Sequence, residues 1–173
     1  MYSIRKAEIT DVKLLVDISI PSFLPAHGHA APKEIIDSYI TNNFNEENFL
    51  KELSNKDFQY YLIFYKDAIA GFSKVIFNQK NAHISEENIT KLERIYLLKE
   101  FYNLGLGKKL MQFNIELCKK NNQAGIWLYV WEQNTRAIQF YNKMDFQKIA
   151  DFNFPLSKTE SRPNHVLYLN INQ

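Results

Sequence analysis

The chain has 173 residues, of which 46% are hydrophobic and 23% are charged, and its formal net charge is +2. These values predict a single globular domain over residues 1–173 and exclude the strongly basic surface of a nucleic-acid-binding protein. We expect no membrane partner and a reducing, cytoplasmic location, because no stretch approaches the roughly 18 apolar residues of a membrane span, the N-terminus lacks a signal-peptide pattern, and Cys118 is the only cysteine.

The first half of the chain predicts one strand, three helices and a hairpin. Residues 2–7 alternate as in a first strand, and residues 10–23 follow a helix start signal with apolar residues at helical spacing. Two further helices are predicted at 32–44 and 45–55, because each segment opens with proline or asparagine and acidic residues. The aromatic and β-branched runs of residues 58–78 predict a hairpin around the turn KDAIAG.

The second half predicts alternating strands and helices. After a polar loop, KLERIYLL at 91–98 is a predicted strand, and a glycine turn leads into a helix over 107–121 with a broad apolar face. GIWLYVW at 125–131 is nearly all apolar, as in a strand buried on both faces. NTRAIQFYNKM then has helical periodicity, and two strands are predicted near 147–154 and 164–171. This order of elements is typical of a mixed α/β domain.

Two of the five glycines, Gly105 and Gly107, stand one residue apart between the predicted strand and helix. A glycine turn at a helix start directs free backbone N–H groups and the positive end of the helix dipole at an anion, and Lys108 adds charge there. A Walker loop would need a glycine at Tyr102, and a dinucleotide fingerprint would need one at Leu110, so both known patterns fail. On this segment alone, a structural turn and a phosphate-binding turn are equally supported.

The segments around this turn and the last helix resemble the two diagnostic segments of the GCN5-related N-acetyltransferase (GNAT) family. The family's acetyl-CoA motif, Q/R-x-x-G-x-G/A, is matched by residues 102–107, with Tyr102 in place of the first Gln or Arg. The second segment is matched from Asn134 to Phe146, with Asp145 in place of a glycine; aspartate tolerates a left-handed cap better than most residues. The segments ELSN, ERIYLLKEF, GLGKKL and IWLYVWEQN are also similar to PaiA-type polyamine acetyltransferases within that family.

The resemblance implies the GNAT fold, an α/β architecture whose central, mostly antiparallel sheet has splayed parallel strands 4 and 5 and is flanked by helices. It also implies acetyl-CoA as co-substrate, with the pantetheine arm lying between the splayed strands like an added strand. The residues that it assigns to cofactor binding are Ile95, Tyr96, Leu97, Tyr102, Asn103, Leu104, Gly105, Leu106, Gly107, Lys108, Asn134, Ala137 and Lys143. For Asn134 the alternative is a plain N-cap of the following helix.

Two further residues are candidates for catalysis. Tyr141 matches the family's general acid, which protonates the leaving CoA sulfur; from periodicity alone it would be an aromatic residue packing on the sheet beside Phe140. Glu93 lies on an apolar strand, where it could accept the amine's proton through water or bind the substrate cation. Its alternative is an exposed carboxylate paired with Lys91 or Arg94. His27 and His29 have the spacing of a metal site, but no second ligand cluster supports one, so we expect no metal and a mobile acceptor-side loop there.

These features predict an N-acetyltransferase that acts on a primary amine of a small-molecule acceptor, and the PaiA-like segments favour a polyamine such as spermidine or spermine. An enzyme that acetylates a protein lysine, an N-terminus or an aminoglycoside is the alternative within the same class. A CoA-binding regulatory module without turnover is the alternative in another class, and a monomer or a homodimer fits each function. The candidate carboxylates for the acceptor's ammonium groups are Glu34, Asp37, Glu46, Glu47, Glu86, Glu87 and Glu93.

Overall fold

A computed structural model describes residues 1–172. Its strands are β1 (Tyr2–Lys6), β2 (Phe58–Tyr65), β3 (Ala68–Ile76), β4 (Ile89–Leu97), β5 (Gly125–Trp131), β6 (Gln147–Pro155) and β7 (Ser161–Asn170). Its helices are α1 (Val12–His27), α2 (Lys33–Asn43), α3 (Glu46–Leu53), α4 (Leu106–Lys120) and α5 (Thr135–Asn142). Within the described residues, no helix combines the length and the apolar character that crossing a membrane requires.

The seven strands form a mixed sheet in the order β1-β2-β3-β4-β5-β7-β6. The pairs β1–β2, β5–β7 and β6–β7 are antiparallel, whereas β4 and β5 are parallel. The parallel pairing covers only three positions and ends at Lys91↔Trp127, although Leu92 and Glu93 continue β4 and Leu128 continues β5. The two strands therefore stop pairing part of the way along, and the predicted α/β fold with splayed strands 4 and 5 is confirmed.

Helix α1 is longer than the sequence predicted, because it runs through Pro21 and Pro25 to His27. Each proline removes a helical N–H donor, which normally ends or kinks a helix. Here Phe23, only 5% exposed, packs into the core between the two prolines, so tertiary packing outweighs the local preference. The loop expected around the two histidines is correspondingly shorter, because His27 is the last helical residue and the loop begins at Gly28.

The predicted hairpin is present with a tighter turn than KDAIAG suggested. Lys66 and Asp67 alone form the turn, with φ angles of 48° and 66°, and β3 begins at Ala68. Two consecutive left-handed residues match the twist of antiparallel strands, as in a type I′ turn. The other predicted elements are confirmed with ends that differ by up to three residues.

The described chain divides into two compact units. The first comprises Met1–Lys74 and Arg94–Met111, and the second comprises Val75–Glu93 and the residues from Gln112 onward. Elements α4, β3 and β4 each contribute residues to both units. The core of the first unit contains the fully buried side chains of Leu15, Phe49, Tyr60, Leu62 and Phe72.

A buried group of charges in the first unit joins α3 to the strands. The Glu52 carboxylate lies 2.9 Å from the Lys74 ammonium and 3.7 Å from the Arg94 guanidinium, and it accepts a hydrogen bond from Tyr60. Lys74 is 2% exposed and Arg94 is 6% exposed. Burial alone would lower the pKa of Arg94, but the Tyr60 and Glu52 oxygens raise it overall, so the guanidinium stays charged. Two of these charges, Lys74 and Arg94, are visible in the sequence as charged residues within apolar strands, but their partner Glu52 is not.

Candidate active site

The glycine turn lies in the first unit, between a single 3-10 turn at Lys99–Phe101 and helix α4. Asn103 and Gly105 both have left-handed backbones, with φ angles of 64° and 74°. A Cβ atom added at Gly105 would meet no heavy atom within 4 Å, so this side of the turn faces open space. The turn therefore exposes bare backbone in the segment that matches the acetyl-CoA motif.

Helix α4 begins immediately after this turn. The Gly105 carbonyl accepts the first helical hydrogen bond, from the Lys109 N–H at 3.2 Å, which leaves the N–H groups of Leu106, Gly107 and Lys108 without helical partners. Gly107 lies in this first helical turn and adds no side chain, while Lys108 and Lys109 are exposed. Free donors, the helix dipole and two ammonium groups together suit a phosphate-bearing ligand.

The C-terminal end of β4, in the same unit, lies against β3 along one edge, and its other edge faces away from β3. The Leu98 N–H donates to the Ala70 carbonyl at 2.9 Å, and a Cβ on Gly71 would lie 2.1 Å from the Tyr96 carbonyl oxygen, so β3 runs tightly along this side. Because polar backbone groups alternate along a strand, those of Ile95 and Leu97 point to the other edge. This is the orientation that binding an extended pantetheine arm requires.

The side chains of these β4 residues pack into the first unit. Ile95 and Leu97 contact the cluster of Ile63, Ala70, Leu106 and Leu110. The Tyr96 ring makes edge contacts with Phe23, His27 and Phe72, at centroid distances of 6.1, 6.0 and 5.6 Å. Tyr96 therefore contributes its ring to the core, and its backbone carbonyl faces β3, so only its neighbours Ile95 and Leu97 direct backbone groups to the free edge.

Tyr141 lies on α5, in the second unit. Its ring makes edge contacts with Phe140 and Phe146, at centroid distances of 5.3 and 5.5 Å, and the residue is 8% exposed. Among residues 1–172, no group forms a hydrogen bond with its hydroxyl, and burial raises the pKa of Tyr141 above its ordinary value. The phenol therefore keeps its proton well above neutral pH. Packing beside Phe140 is confirmed, and this packing is compatible with a proton donor.

Asn134 caps α5, as the structural alternative predicted. Its side-chain oxygen accepts a hydrogen bond from the Ala137 N–H at 3.2 Å, and the residue is half-buried. This bond uses only the oxygen, because the amide NH2 group is a separate pair of donors. The cap and a ligand contact can therefore coexist in one side chain.

The C-terminal end of α5 has the cap that the sequence predicted. Asp145 has a φ angle of 65°, the left-handed conformation that a glycine commonly adopts there. The Phe146 N–H then donates to the Tyr141 carbonyl at 3.1 Å, which closes the helix end, and Lys143 is exposed at its C-cap. Aspartate thus replaces the motif's glycine without loss of the cap.

Glu93 has the partner that the structural alternative named. Its carboxylate lies 3.2 Å from the Lys91 ammonium, and the two side chains are 27% and 20% exposed. Arg94, the other named partner, contacts Glu52 instead. Glu93 is therefore a half-buried carboxylate whose present cationic partner is the Lys91 ammonium.

Most other acidic candidates have ordinary structural roles. Glu46 and Glu47 occupy the first turn of α3, where acidic residues stabilise a helix. Asp37 pairs with Lys33, and Glu87 pairs with Lys80 at 2.6 Å, both at exposed positions. In the part of the chain that the structure describes, no three His, Cys, Asp or Glu side chains are grouped as a metal site would require.

The site residues thus fall into two sets. The first unit brings together the C-terminal end of β4 and the glycine turn, and the second unit holds Glu93 and α5 with its N-cap. The sequence did not predict the contacts of Glu52 with Lys74 and Arg94, or those of Lys91 with the rings of β5, because each contact joins segments that are distant along the chain.

Comparison with known proteins gives a consistent result. Residues 15–146 match the profile of the Acetyltransferase (GNAT) family. The chain is 29% identical to a spermidine N(1)-acetyltransferase of Thermoplasma acidophilum, over 86% of this chain and 89% of that protein. It is 27% identical to an uncharacterized N-acetyltransferase in the pepI 3′ region of Lactobacillus delbrueckii subsp. lactis, over 84% of each chain. Among solved structures, the PaiA N-acetyltransferase of Thermoplasma acidophilum, in complex with coenzyme A, superimposes with a TM-score of 0.78 at 24% identity, over 98% of this chain and 99% of that one.

Proposed function

The chain belongs to the Acetyltransferase (GNAT) family, and from this premise we propose that it transfers the acetyl group of acetyl-CoA to a primary amine of a polyamine such as spermidine or spermine. Membership makes the chain an N-acetyltransferase with acetyl-CoA as its co-substrate. The observation that carries the choice of acceptor is the similarity to a spermidine N(1)-acetyltransferase along most of both chains. The PaiA-like segments around the motifs support the same choice.

The chemistry of the first unit supports its proposed role in holding acetyl-CoA. The open face at Gly105 and the free N–H groups of the first turn of α4 suit the pyrophosphate, together with Lys108. The outward backbone groups of Ile95 and Leu97 suit the amides of the pantetheine arm, as in strand addition. Tyr102, Asn103 and Leu104 complete the proposed phosphate turn. These groups bind and orient the co-substrate.

The second unit supplies the proposed proton transfers. The substrate ammonium loses one proton before attack; its nitrogen then bonds to the thioester carbonyl carbon as the carbon–sulfur bond breaks, and a second proton leaves the nitrogen while the sulfur gains one. An alkyl amine has a pKa of about 10.4, so it must be deprotonated at neutral pH before it attacks. We assign that proton to Glu93, acting through water. We assign the proton gained by sulfur to the Tyr141 hydroxyl, which matches the family's general acid and is protonated at neutral pH.

Asn134 allows its two roles to be separated by mutation. We expect Asn134→Asp to retain the cap, because aspartate also accepts from the N–H groups of a helix start, and therefore to melt near the wild-type temperature. The carboxylate cannot donate a hydrogen bond, so acetyl-CoA affinity should fall by about 1 kcal/mol. Asn134→Ala should lose the cap as well, at a further cost of about 1 kcal/mol in stability. Calorimetric titration measures the acetyl-CoA affinity, and thermal melting measures the stability. Unchanged acetyl-CoA affinity of the Asn134→Asp variant would show that Asn134 acts only as an N-cap.

The acceptor assignment predicts a preference among amines. Spermidine and spermine should have a higher kcat/KM than butylamine, because remote ammonium contacts position the reacting end. The KM for spermidine should rise with ionic strength, since salt screens exposed charges over about 8 Å at physiological concentration. Glu93→Gln should raise this KM more than it changes acetyl-CoA affinity. Steady-state kinetics with an amine panel tests these points, and equal use of butylamine would overturn the polyamine assignment.

The extent of the family match supports a single acetyltransferase domain over residues 1–173, because residues 15–146 include parts of both units. We propose a cytoplasmic location because Cys118, the single cysteine of the sequence, cannot form an internal disulfide. Burial raises the pKa of the Cys118 thiol to about 11, so the group remains an unreactive thiol.

A further inference from the structure

A lysine of the second unit occupies an environment that is built for an alkylammonium ion. The Lys91 ammonium lies 5.5 Å from the ring centroid of Trp127 and 5.5 Å from that of Tyr129. The Glu93 carboxylate lies 3.2 Å from the same nitrogen. Two aromatic faces and one carboxylate thus surround one cation, and we refer to Lys91, Glu93, Trp127 and Tyr129 as the Lys91 cluster.

The strand register explains why these four side chains meet. Lys91 of β4 is directly opposite Trp127 of β5, at the last position where the two strands pair. Glu93 and Tyr129 lie two residues further along each strand, and successive side chains of a strand alternate between faces. The aromatic surface continues from Tyr129 to Phe152, whose rings stack at 4.3 Å with an interplanar angle of 14°. Phe152 is 36% exposed, so this surface remains accessible.

The chemistry of the cluster matches the acceptor of the proposed reaction. A lysine side chain is four methylene groups ending in an ammonium, which is chemically the same as the aminobutyl arm of spermidine. Ammonium groups are recognised in proteins by aromatic faces, most strongly by tryptophan, and by carboxylates. Lys91 is therefore an internal copy of one end of a polyamine, bound as a polyamine end would be.

We propose that the Lys91 cluster is the recognition site for an ammonium group of the acceptor, and that the Lys91 ammonium occupies it and competes with the substrate. This inference rests on the proposed function, because it assigns the polyamine to a defined set of side chains. An incoming ammonium displaces the Lys91 head, which lies on a flexible stem and is partly exposed. Lys91 thereby sets the affinity for cationic amines and excludes weaker ones.

The test compares Lys91→Met with wild type in the full chain, using spermidine as the probe in calorimetric titration. Methionine retains an unbranched apolar stem over the rings and removes the competing charge. Because spermidine no longer has to displace an ammonium from the carboxylate and the two rings, it should bind about 3- to 10-fold tighter. Acetyl-CoA affinity should not change. Lys91→Gln, a shorter neutral side chain, should act in the same direction.

Lys80→Met is the matched control, because it removes one positive charge from an exposed ion pair with Glu87 in the same unit. It should leave spermidine affinity unchanged, and adding Glu93→Gln to Lys91→Met should abolish the gain. Equal or weaker spermidine binding by both Lys91 variants, or an equal gain in Lys80→Met, would overturn the proposal. Product analysis of the wild-type enzyme tests the proposed function separately: absence of acetylated polyamine would refute the acceptor class, whereas the binding comparison still decides the role of Lys91.

Discussion

Replacement of Tyr141 by phenylalanine should lower kcat by about 10²–10⁴-fold, the usual contribution of a general acid. Phenylalanine preserves the ring contacts with Phe140 and Phe146, so the melting temperature should remain close to that of wild type. Acetyl-CoA affinity should also be retained, because the lost hydroxyl acts on the leaving sulfur and not on the bound co-substrate. Steady-state kinetics, thermal melting and calorimetric titration of the same preparation measure the three quantities.

Tyr168→Phe is a matched control within the same unit. The Tyr168 hydroxyl is buried without a hydrogen-bond partner among the described residues, so its removal should leave kcat and stability nearly unchanged. Because burial raises the pKa of Tyr141, its proton remains available below that raised pKa, and loss of the acid should not reduce kcat until above about pH 10. Wild-type turnover by Tyr141→Phe would make Tyr141 a packing residue and leave another group or water to protonate the thiolate.

The second large effect is expected at Gly107, where Gly107→Val should weaken acetyl-CoA binding by about 100-fold. The branched side chain would hold a phosphate away from the first turn of α4, and hydrogen bonds to a charged group contribute about 1.5–3 kcal/mol each. The melting temperature of the variant should not fall below that of wild type, because valine is a better helix former than glycine. Glu116→Val is the control, since it introduces the same side chain at an exposed position on the same helix. A folded Gly107→Val variant with wild-type affinity would refute the phosphate-binding role of this turn.

Local sequence patterns predicted the turns and helix ends whose conformation is determined by residues close by in the sequence. The left-handed conformation of Asp145 followed from its place at a helix end, and the hairpin followed from two aromatic runs around a polar turn. The open glycine turn before α4 followed from two closely spaced glycines after a strand. In each of these places the backbone conformation depends on residues within a few positions.

The features that the sequence did not predict depend on contacts between distant segments. Helix α1 continues through two prolines because Phe23 is packed into the core, which no local pattern reveals. Glu52 meets Arg94 only after α3 and β4 are brought together in the first unit. Lys91 lies beside Trp127 because of the register between two strands 36 positions apart, and one shifted position would turn the lysine to the other face.

Transfer of the acetyl group to a polyamine can be tested by a mass-spectrometric assay of the wild-type enzyme with acetyl-CoA and an amine panel, in which acetylated product and released thiol are both quantified. We expect one acetylated spermidine or spermine for each thiol released, at a higher kcat/KM than for butylamine. Thiol release with a peptide or an aminoglycoside, but none with spermidine or spermine, would contradict this expectation.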